Sequence, residues 1–478
     1  MSLSLPTSPM PKNEPVKEYR PGSPEREALV AELKRQESLE MDIPVIIDGK
    51  EIRTGNTDVI RVPHRHEKHL GKFHKASGDD VRKAITGSQK AWKEWSEYSF
   101  EARAGIFLKA ADLLAGKYRQ ILNASTMLGQ SKTCYQAEID AACELVDFFR
   151  FNVHFMEQMY RMQPLSGPGQ WNRSEYRPLE GYVFAVTPFN FTSIAGNLPT
   201  SAAIMGNVCL WKPSSTSILS NYYLVKLFEE AGLPPGVIQF LPGSGKAIGD
   251  VALFDKHLAG VHFTGSTEVF HQIWGTVGEN VRSYLNYPRL VGETGGKDFV
   301  FAHPSADVEA LRVALVRGAY EYQGQKCSAA SRAYIPKSLW AKLKDPLVEE
   351  IKSLRMGDPA DFRNFVGAVI DKNSFENIRS YIDGVKSSTS AEILAGGKTH
   401  GETGYFVEPT LIEAKDPKYR TMCEEIFGPV LTLHVYEDSQ WEEMLSVVDQ
   451  TSPYALTGAF LAQEVASQPA QFPVNQRH

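Results

Sequence analysis

Apolar residues recur at helical spacing through the first third of the chain and then give way to short continuous runs separated by helical stretches. Residues 23–39 read as a charged amphipathic helix, and 43–52 as a short β segment in which Asp48-Gly49 supplies the turn. The stretches 79–98, 101–121 and 137–162 repeat every three to four residues with few breakers, which predicts a helical layer with Lys and Glu facing outward. Ser-Gly-Pro-Gly-Gln at 166–170 breaks that pattern, and 174–182 predicts a two-stranded excursion.

From 181 onward, apolar runs at 182–186, 208–211, 237–240, 260–263 and 299–301 alternate with helical patterns that include 219–231 and 267–277. Continuously apolar strands alternating with helices predict a parallel sheet covered on both faces. Such sheets bind ligands beyond the carboxyl ends of their strands. A second series begins near 300, with helices at 308–322, 339–354 and 441–448 and strands at 333–335, 391–394 and 430–436. The expectation is two α/β domains with a seam near 290–300. No solenoid repeat interrupts them.

Composition narrows the function classes. A chain of 478 residues is too long for one simple core. A net charge of −6 argues against a nucleic-acid binder and gives no attraction to an anionic membrane. The five cysteines (Cys134, Cys143, Cys209, Cys327, Cys423) are odd in number and form no CxxC pair, which fits free thiols in a reducing compartment and predicts neither disulfides nor a metal site. No apolar run approaches the roughly 20 residues of a membrane span. Prolines at 6, 9 and 11 exclude a secretory signal at the start, so 1–22 reads as an exposed, flexible tail.

Three short stretches carry candidate chemistry. Cys327 follows a helical stretch and a Gly-containing loop, where the backbone can turn a side chain toward a cleft. A free thiol is only a few per cent thiolate at neutral pH, and Lys326 and loop donors would favour the thiolate. Glu293, between glycines at a strand end, suits a base that must swing between water and an intermediate. Asn190 ends an apolar strand and offers an N–H to an oxyanion, a contribution of roughly 3–4 kcal/mol in other enzymes. Taken singly, each has an ordinary alternative: a buried thiol, a solvated carboxylate, a turn asparagine.

Their order in the chain is more specific. Thr-Pro-Phe-Asn (187–190), Trp-Lys-Pro-Ser (211–214), Phe-Thr-Gly-Ser (263–266), Gly-Glu-Thr-Gly-Gly-Lys (292–297), Gly-Gln-Lys-Cys (324–327) and Glu-Glu-Ile-Phe-Gly-Pro (424–429) together resemble the motif series of the aldehyde dehydrogenase superfamily. The resemblance runs from about residue 15 to 460, and the spacing from Glu293 to Cys327 matches it. Within the superfamily, VKEYRPGSPER (16–26), DFFRFN (147–152), VTPFNFT (186–192), GETGGKDFVF (292–301) and YQGQKCSAASR (322–332) are similar to the Δ1-pyrroline-5-carboxylate (L-glutamate γ-semialdehyde) dehydrogenase branch.

The resemblance implies an α/β fold of two doubly wound parallel-sheet domains, cofactor-binding and catalytic, with a small bridging and oligomerisation hairpin. On this chain that places an NAD-binding domain with its helical layer at 23–165 and 181–292, the hairpin at 166–180 and a catalytic domain at 293–460. It implies Cys327 as nucleophile, Glu293 as base for deacylation and Asn190 as oxyanion donor. For the cofactor it implies Lys212 on the adenosine ribose, Gly265 and Ser266 near the pyrophosphate, Glu425 on the nicotinamide ribose, and Phe427 and Thr187 beside it. Ser215 stands where strict NAD users often carry glutamate, so NAD is expected and NADP stays open. No GxGxxG is present, and the family does not use one. For an amino-acid aldehyde, the resemblance implies Ser328 at the substrate carboxylate, with Glu144 and Phe191 lining the pocket.

The resemblance stops near residue 460, and 461–478 reads as an unrelated, disordered tail. The fold is therefore expected to lack its C-terminal part, including a strand used in dimerisation. The implied partners are a small aldehyde and a second copy of the chain, in the mitochondrial matrix of a eukaryote or the cytoplasm of a bacterium. The alternatives are a catalytically inactive relative and an enzyme for another small aldehyde.

Overall fold

The computed structural model describes residues 7–463, and these fall into two units. The first comprises 7–61, 69–130 and 134–293, and the second 62–68, 131–133 and 294–463.

In the first unit the opening helix is Pro24–Ser38, started by Ser23, whose side chain accepts from the Arg26 N–H. The helix expected at 101–121 resolves into Phe100–Ala115 and Arg119–Gln130, parted at Gly116. The 137–162 stretch opens as a π-helical turn, Glu138–Cys143, and continues as the α-helix Glu144–Arg161. A seven-stranded sheet runs in the order Arg289–Thr294, Leu258–Gly265, Tyr182–Val186, Val208–Lys212, Ile238–Phe240, Val45–Ile47, Lys50–Ile52. The central four strands are parallel. The first four residues of both Tyr182–Val186 and Val208–Lys212 are buried, as their unbroken apolar runs predict. From Tyr182–Val186 the chain builds outward in one direction and later returns to build in the other. The sheet therefore has a topological switch point beside that strand, the place where open α/β sheets bind ligands beyond their carboxyl ends.

Three expectations for this unit are corrected. The sheet is not wholly parallel: the hairpin Val45–Ile47/Lys50–Ile52 joins Ile238–Phe240 antiparallel, because a two-residue turn can only reverse the chain. The excursion at 166–180 carries no strand. Residues 161–177 are all exposed, and an isolated hairpin without a covered apolar face is marginal. Side chains join its arms instead, with the Ser174 N–H donating to Gln163 Oε1 at 2.8 Å and Tyr160 stacked on Tyr176 at 5.3 Å. Finally, residues 13–19 are not a free tail. Glu14 accepts from Arg119 and Arg150, and Tyr19 and the Lys17 N–H donate to buried Glu138.

The second unit holds a six-stranded sheet in the order Ala391–Ala395, Thr410–Ala414, Val430–Tyr436, Arg332–Pro336, Phe299–Ala302, Gly458–Leu461. All neighbours are parallel except the first pair. Successive side chains alternate between its faces. Val300, Ala302, Ala333, Ile335, Leu431 and Leu433 pack under the helices Val308–Tyr320 and Lys337–Ser353. Phe301, Tyr334 and Val430 pack under Lys372–Lys386 and Trp441–Thr451. Helix Lys372–Lys386 and strand Thr410–Ala414 were not anticipated. Leu461, expected to begin the tail, pairs with Ala302, and the tail from 464 onward lies outside the described residues. The excursions 62–68 and 131–133 belong here through long-range bonds, such as Tyr405 N–H to the Pro63 carbonyl and Ala368 N–H to Ser131 Oγ. No helix among the described residues is long and apolar enough to cross a membrane.

Candidate active site

In the first unit, two of the strands at the switch point end level, Val186 opposite Lys212, and Leu258–Gly265 runs two residues past Phe263, which also faces Val186. Their carboxyl ends thereby bring together Thr187, Asn190, Lys212, Ser215, Gly265 and Ser266. Thr187 is buried, donates its N–H to the Lys212 carbonyl at 3.2 Å and accepts from the Trp211 indole at 2.9 Å. Asn190 is buried in the loop after it. That loop is anchored by Gln130, which donates to the Phe189 carbonyl at 2.5 Å and accepts from the Thr192 hydroxyl at 3.1 Å.

The Lys212 ammonium makes no hydrogen bond or ion pair among the described residues, and burial pulls it down to about 8. Ser266 caps the 13-residue helix Thr267–Glu279, accepting from the Val269 N–H at 3.4 Å. A helix N-terminus with an unengaged cation on the same edge suits an anionic, hydroxyl-rich ligand. Ser215 opens a short 3-10 turn. Glu293 stands exposed near the end of the edge strand Arg289–Thr294. Glu144 follows directly on the π-helical turn and accepts from the Ser193 hydroxyl, two residues beyond buried Phe191.

The second unit brings Cys327, Ser328, Glu425 and Phe427 together through two loops. After helix Val308–Tyr320, Tyr322 (φ 51°), Gln323 (φ 56°) and Gly324 (φ 65°) form a left-handed run. That conformation costs roughly 1–2 kcal/mol for each non-glycine residue. At Gly324 a Cβ would lie 2.1 Å from the Gly428 carbonyl oxygen, so the loop carrying Cys327 lies directly on the loop carrying Phe427. Cys327 is partly exposed and Ser328 exposed. Burial pushes the thiols of Cys134 and Cys143 up to about 11 and about 12, and raises those of Cys209 and Cys423. Those four are thereby disfavoured as nucleophiles.

A Cβ on Gly295 would fall 2.1 Å from the Glu425 carboxylate, and the Gly296 N–H donates to that carboxylate at 3.2 Å. Burial pushes the Glu425 carboxyl up to about 7, against the opposing pull of the Gly296 amide and Lys297. Lys297 was quoted within a motif but given no role. It is fully buried, its nitrogen has no hydrogen-bond partner among the described residues, and burial followed by Arg332 pulls it down to about 7.

Asp298 and Arg332 also escaped the sequence reading. Asp298 accepts from the N–H groups of Leu456 and Thr457, and Arg332 donates to the carbonyls of Lys297 and Val448. The available signal was a Lys-Asp pair directly ahead of an apolar strand, where solvated charges are rare. Among the described residues, no group of three or more His, Cys, Asp or Glu side chains is placed to hold a metal ion.

The chain is similar to known proteins along most of its length. The model of the aldehyde dehydrogenase family matches residues 52–469. The mitochondrial delta-1-pyrroline-5-carboxylate dehydrogenase of Dictyostelium discoideum is 53% identical over 457 residues, covering 95% of this chain and 82% of that protein. Its Homo sapiens counterpart is 47% identical over 453 residues, covering 95% and 80%. The NAD-bound crystal structure of the enzyme from Mycobacterium tuberculosis superposes with a TM-score of 0.94 at 49% identity, covering 97% of this chain and 85% of that one. An NAD-bound Thermus 1-pyrroline-5-carboxylate dehydrogenase gives 0.90 at 30% identity, covering 96% and 88%.

Proposed function

The chain belongs to the aldehyde dehydrogenase family, and from that premise we propose that it oxidises L-glutamate γ-semialdehyde, the open form of Δ1-pyrroline-5-carboxylate, to L-glutamate with NAD in proline degradation. The observation that carries the reading is the left-handed loop that presents Cys327 partly exposed, while the other four thiols are raised by burial.

The Cys327 thiolate adds to the aldehyde carbon, and the Asn190 carboxamide and the Cys327 N–H receive the oxyanion. NAD, when bound, supplies the acceptor for the hydride that leaves this carbon. The acyl group is then a thioester on Cys327. Glu293 takes a proton from water, the resulting hydroxide attacks the thioester carbon, and the thiolate departs as the acid is released.

The residues present fit such a cofactor. The strand ends lie at a switch point, Lys212 offers an unengaged ammonium to ribose hydroxyls, and Gly265 with Ser266 at a helix N-terminus suits a pyrophosphate. Thr187 lines the same strand ends. Ser215 leaves room for a 2′-phosphate, so NADP is the competitor to test. Glu425 would hold the nicotinamide ribose, with Phe427 beside it. Ser328 would donate to the substrate carboxylate, and Glu144 and Phe191 would line the aldehyde pocket. The names of the eukaryotic relatives favour the mitochondrion if the source is eukaryotic. The expected assembly is a homodimer, to be read by light scattering.

Cys327→Ala should abolish NAD reduction with glutamate semialdehyde while NAD binding is retained, and residual turnover would overturn the nucleophile. Glu293→Gln should slow thioester hydrolysis more than hydride transfer. A pre-steady-state burst of reduced cofactor is then expected, and a missing burst counts against the deacylation role.

A further inference from the structure

We infer that Phe270 is a positioning residue for Glu293: its ring lies against the edge strand at Gly292 and holds the strand end from which that carboxylate works. This rests on the proposed role of Glu293 as the base that releases the acid.

Arg289–Thr294 is the outermost strand of its sheet and pairs on one side only, with Leu258–Gly265. An edge strand leaves a row of its backbone groups without a strand partner, so packing must fix what pairing does not. Glycine at 292 weakens the strand further, because it has no side chain to pack, and within a strand it often marks the close approach of another group. Here that group is an aromatic ring. A Cβ built on Gly292 would overlap the edge of the Phe270 ring, with Cζ nearest and Cε1 2.6 Å away. Only glycine admits the ring at this depth.

The ring is itself held by two others. It stacks on Phe263, with 5.4 Å between centroids and 17° between planes, and meets Trp274 edge to face at 5.7 Å and 86°. Phe263 is buried, and a Cβ on Gly265 would lie 2.7 Å from its Cζ. Phe263 and Phe270 therefore link the end of Leu258–Gly265, proposed for the pyrophosphate, to the end of Arg289–Thr294.

Strand geometry then decides what the contact can do. Successive side chains leave a strand on opposite faces, so the ring on the Gly292 face lies behind the strand as seen from Glu293. It fixes the backbone without covering the carboxylate, and Glu293 is exposed. An anchored backbone under a free side chain suits a base that must reach water and the acyl carbon in turn. Misplacing such a group by about 1 Å costs on the order of 100-fold in rate.

The test is stopped-flow absorbance of reduced cofactor in the full chain with NAD and glutamate semialdehyde, which separates hydride transfer in the first turnover from the steady state. Phe270→Ala should lower kcat by about 10- to 100-fold while first-turnover hydride transfer keeps its wild-type rate. Gly292→Ala, which pushes the ring away, should do the same, and it takes the place of Phe270→Ala should that variant not fold. In a Glu293→Gln background, Phe270→Ala should lower kcat no further, because the ring acts only through that carboxylate. A wild-type kcat in Phe270→Ala, a hydride-transfer rate that falls as far as kcat, or a further loss in the double variant would overturn the inference. Glu293→Gln separates the two readings. Wild-type turnover there removes the base and this inference with it, whereas a slowed Glu293→Gln beside a normal Phe270→Ala removes this inference alone.

Discussion

Glu138 in the first unit and Glu425 in the second are carboxylates taken out of water with a cation in the same unit, yet their surroundings drive them in opposite directions. Burial pushes both up. Glu138 nevertheless ends below the usual carboxylate range, because its oxygens accept from Arg119 Nε (3.1 Å), the Tyr19 hydroxyl (2.7 Å), Asn123 Nδ2 (2.8 Å) and the Lys17 N–H (2.8 Å). Among the described residues Glu425 accepts from the Gly296 N–H alone, at 3.2 Å, and it rises to about 7. The cations differ in the same sense. Arg119 is engaged by Glu138, Glu14 and the Pro15 carbonyl, whereas the Lys297 nitrogen has no hydrogen-bond partner among the described residues. A saturated cluster has spent its bonding capacity on the fold and acts as a clamp. An unsaturated one keeps capacity for a ligand, which is why perturbed, under-bonded groups collect at functional sites.

Three measurements would break or sharpen that contrast. The largest effect belongs to Glu138→Gln, which leaves a buried guanidinium without its main counter-charge. A stability loss of about 3–5 kcal/mol in urea unfolding is expected, and a loss under 1 kcal/mol would refute the clamp. Glu425→Gln should leave the melting temperature at pH 8 unchanged or higher, since it removes a carboxylate that burial disfavours. It should weaken NAD binding by about 1.5–3 kcal/mol by calorimetry, and unaltered affinity would remove Glu425 from the ribose site.

The smallest effect is a change of slope. The folded-state value of Lys297 (about 7) lies below its unfolded value of about 10.4, so the unfolded chain binds the extra proton between them. The Lys297 contribution to stability is therefore complete above about 10.4 and lost as the pH falls through 7. The raised Glu425 works in the other sense, its contribution present below about 4.3 and lost as the pH rises through 7. Melting temperature against pH should flatten between pH 7 and about 10.4 in Lys297→Met, and an unchanged curve would mean that Lys297 is not the group responsible.

The elements with a strong local period were readable in advance. Tyr182–Val186 and Val208–Lys212 announce themselves as unbroken apolar runs, and Pro24–Ser38 by its Ser-Pro start. Strand Thr410–Ala414 was missed even though its first three residues are buried, because five residues with one acidic member and no marked turn give too weak a pattern. The excursion at 166–180 failed for the converse reason: its turn residues are right, but no apolar face is there to be covered. At the site, Cys327, Glu293 and Asn190 could be proposed from residue type and spacing. Lys297 and Arg332 could not, because a lysine or arginine in a sequence looks solvated until something far along the chain covers it.

What the sequence determined by itself is what depends on near neighbours: the α/β alternation, the strand-end placement of Thr187, Lys212 and Gly265, and the ordered motifs that carry the chemistry. Tertiary structure alone decided that residues 13–19 strap onto Glu138, that Ser131 accepts from Gln323 in the turn before Cys327, and that Gly295 and Gly324 each lie against a partner more than a hundred residues further on. The physical reason is one of range. Helix and strand periodicity is set by backbone geometry over a few residues, whereas desolvation and hydrogen-bond saturation depend on whatever the fold brings alongside.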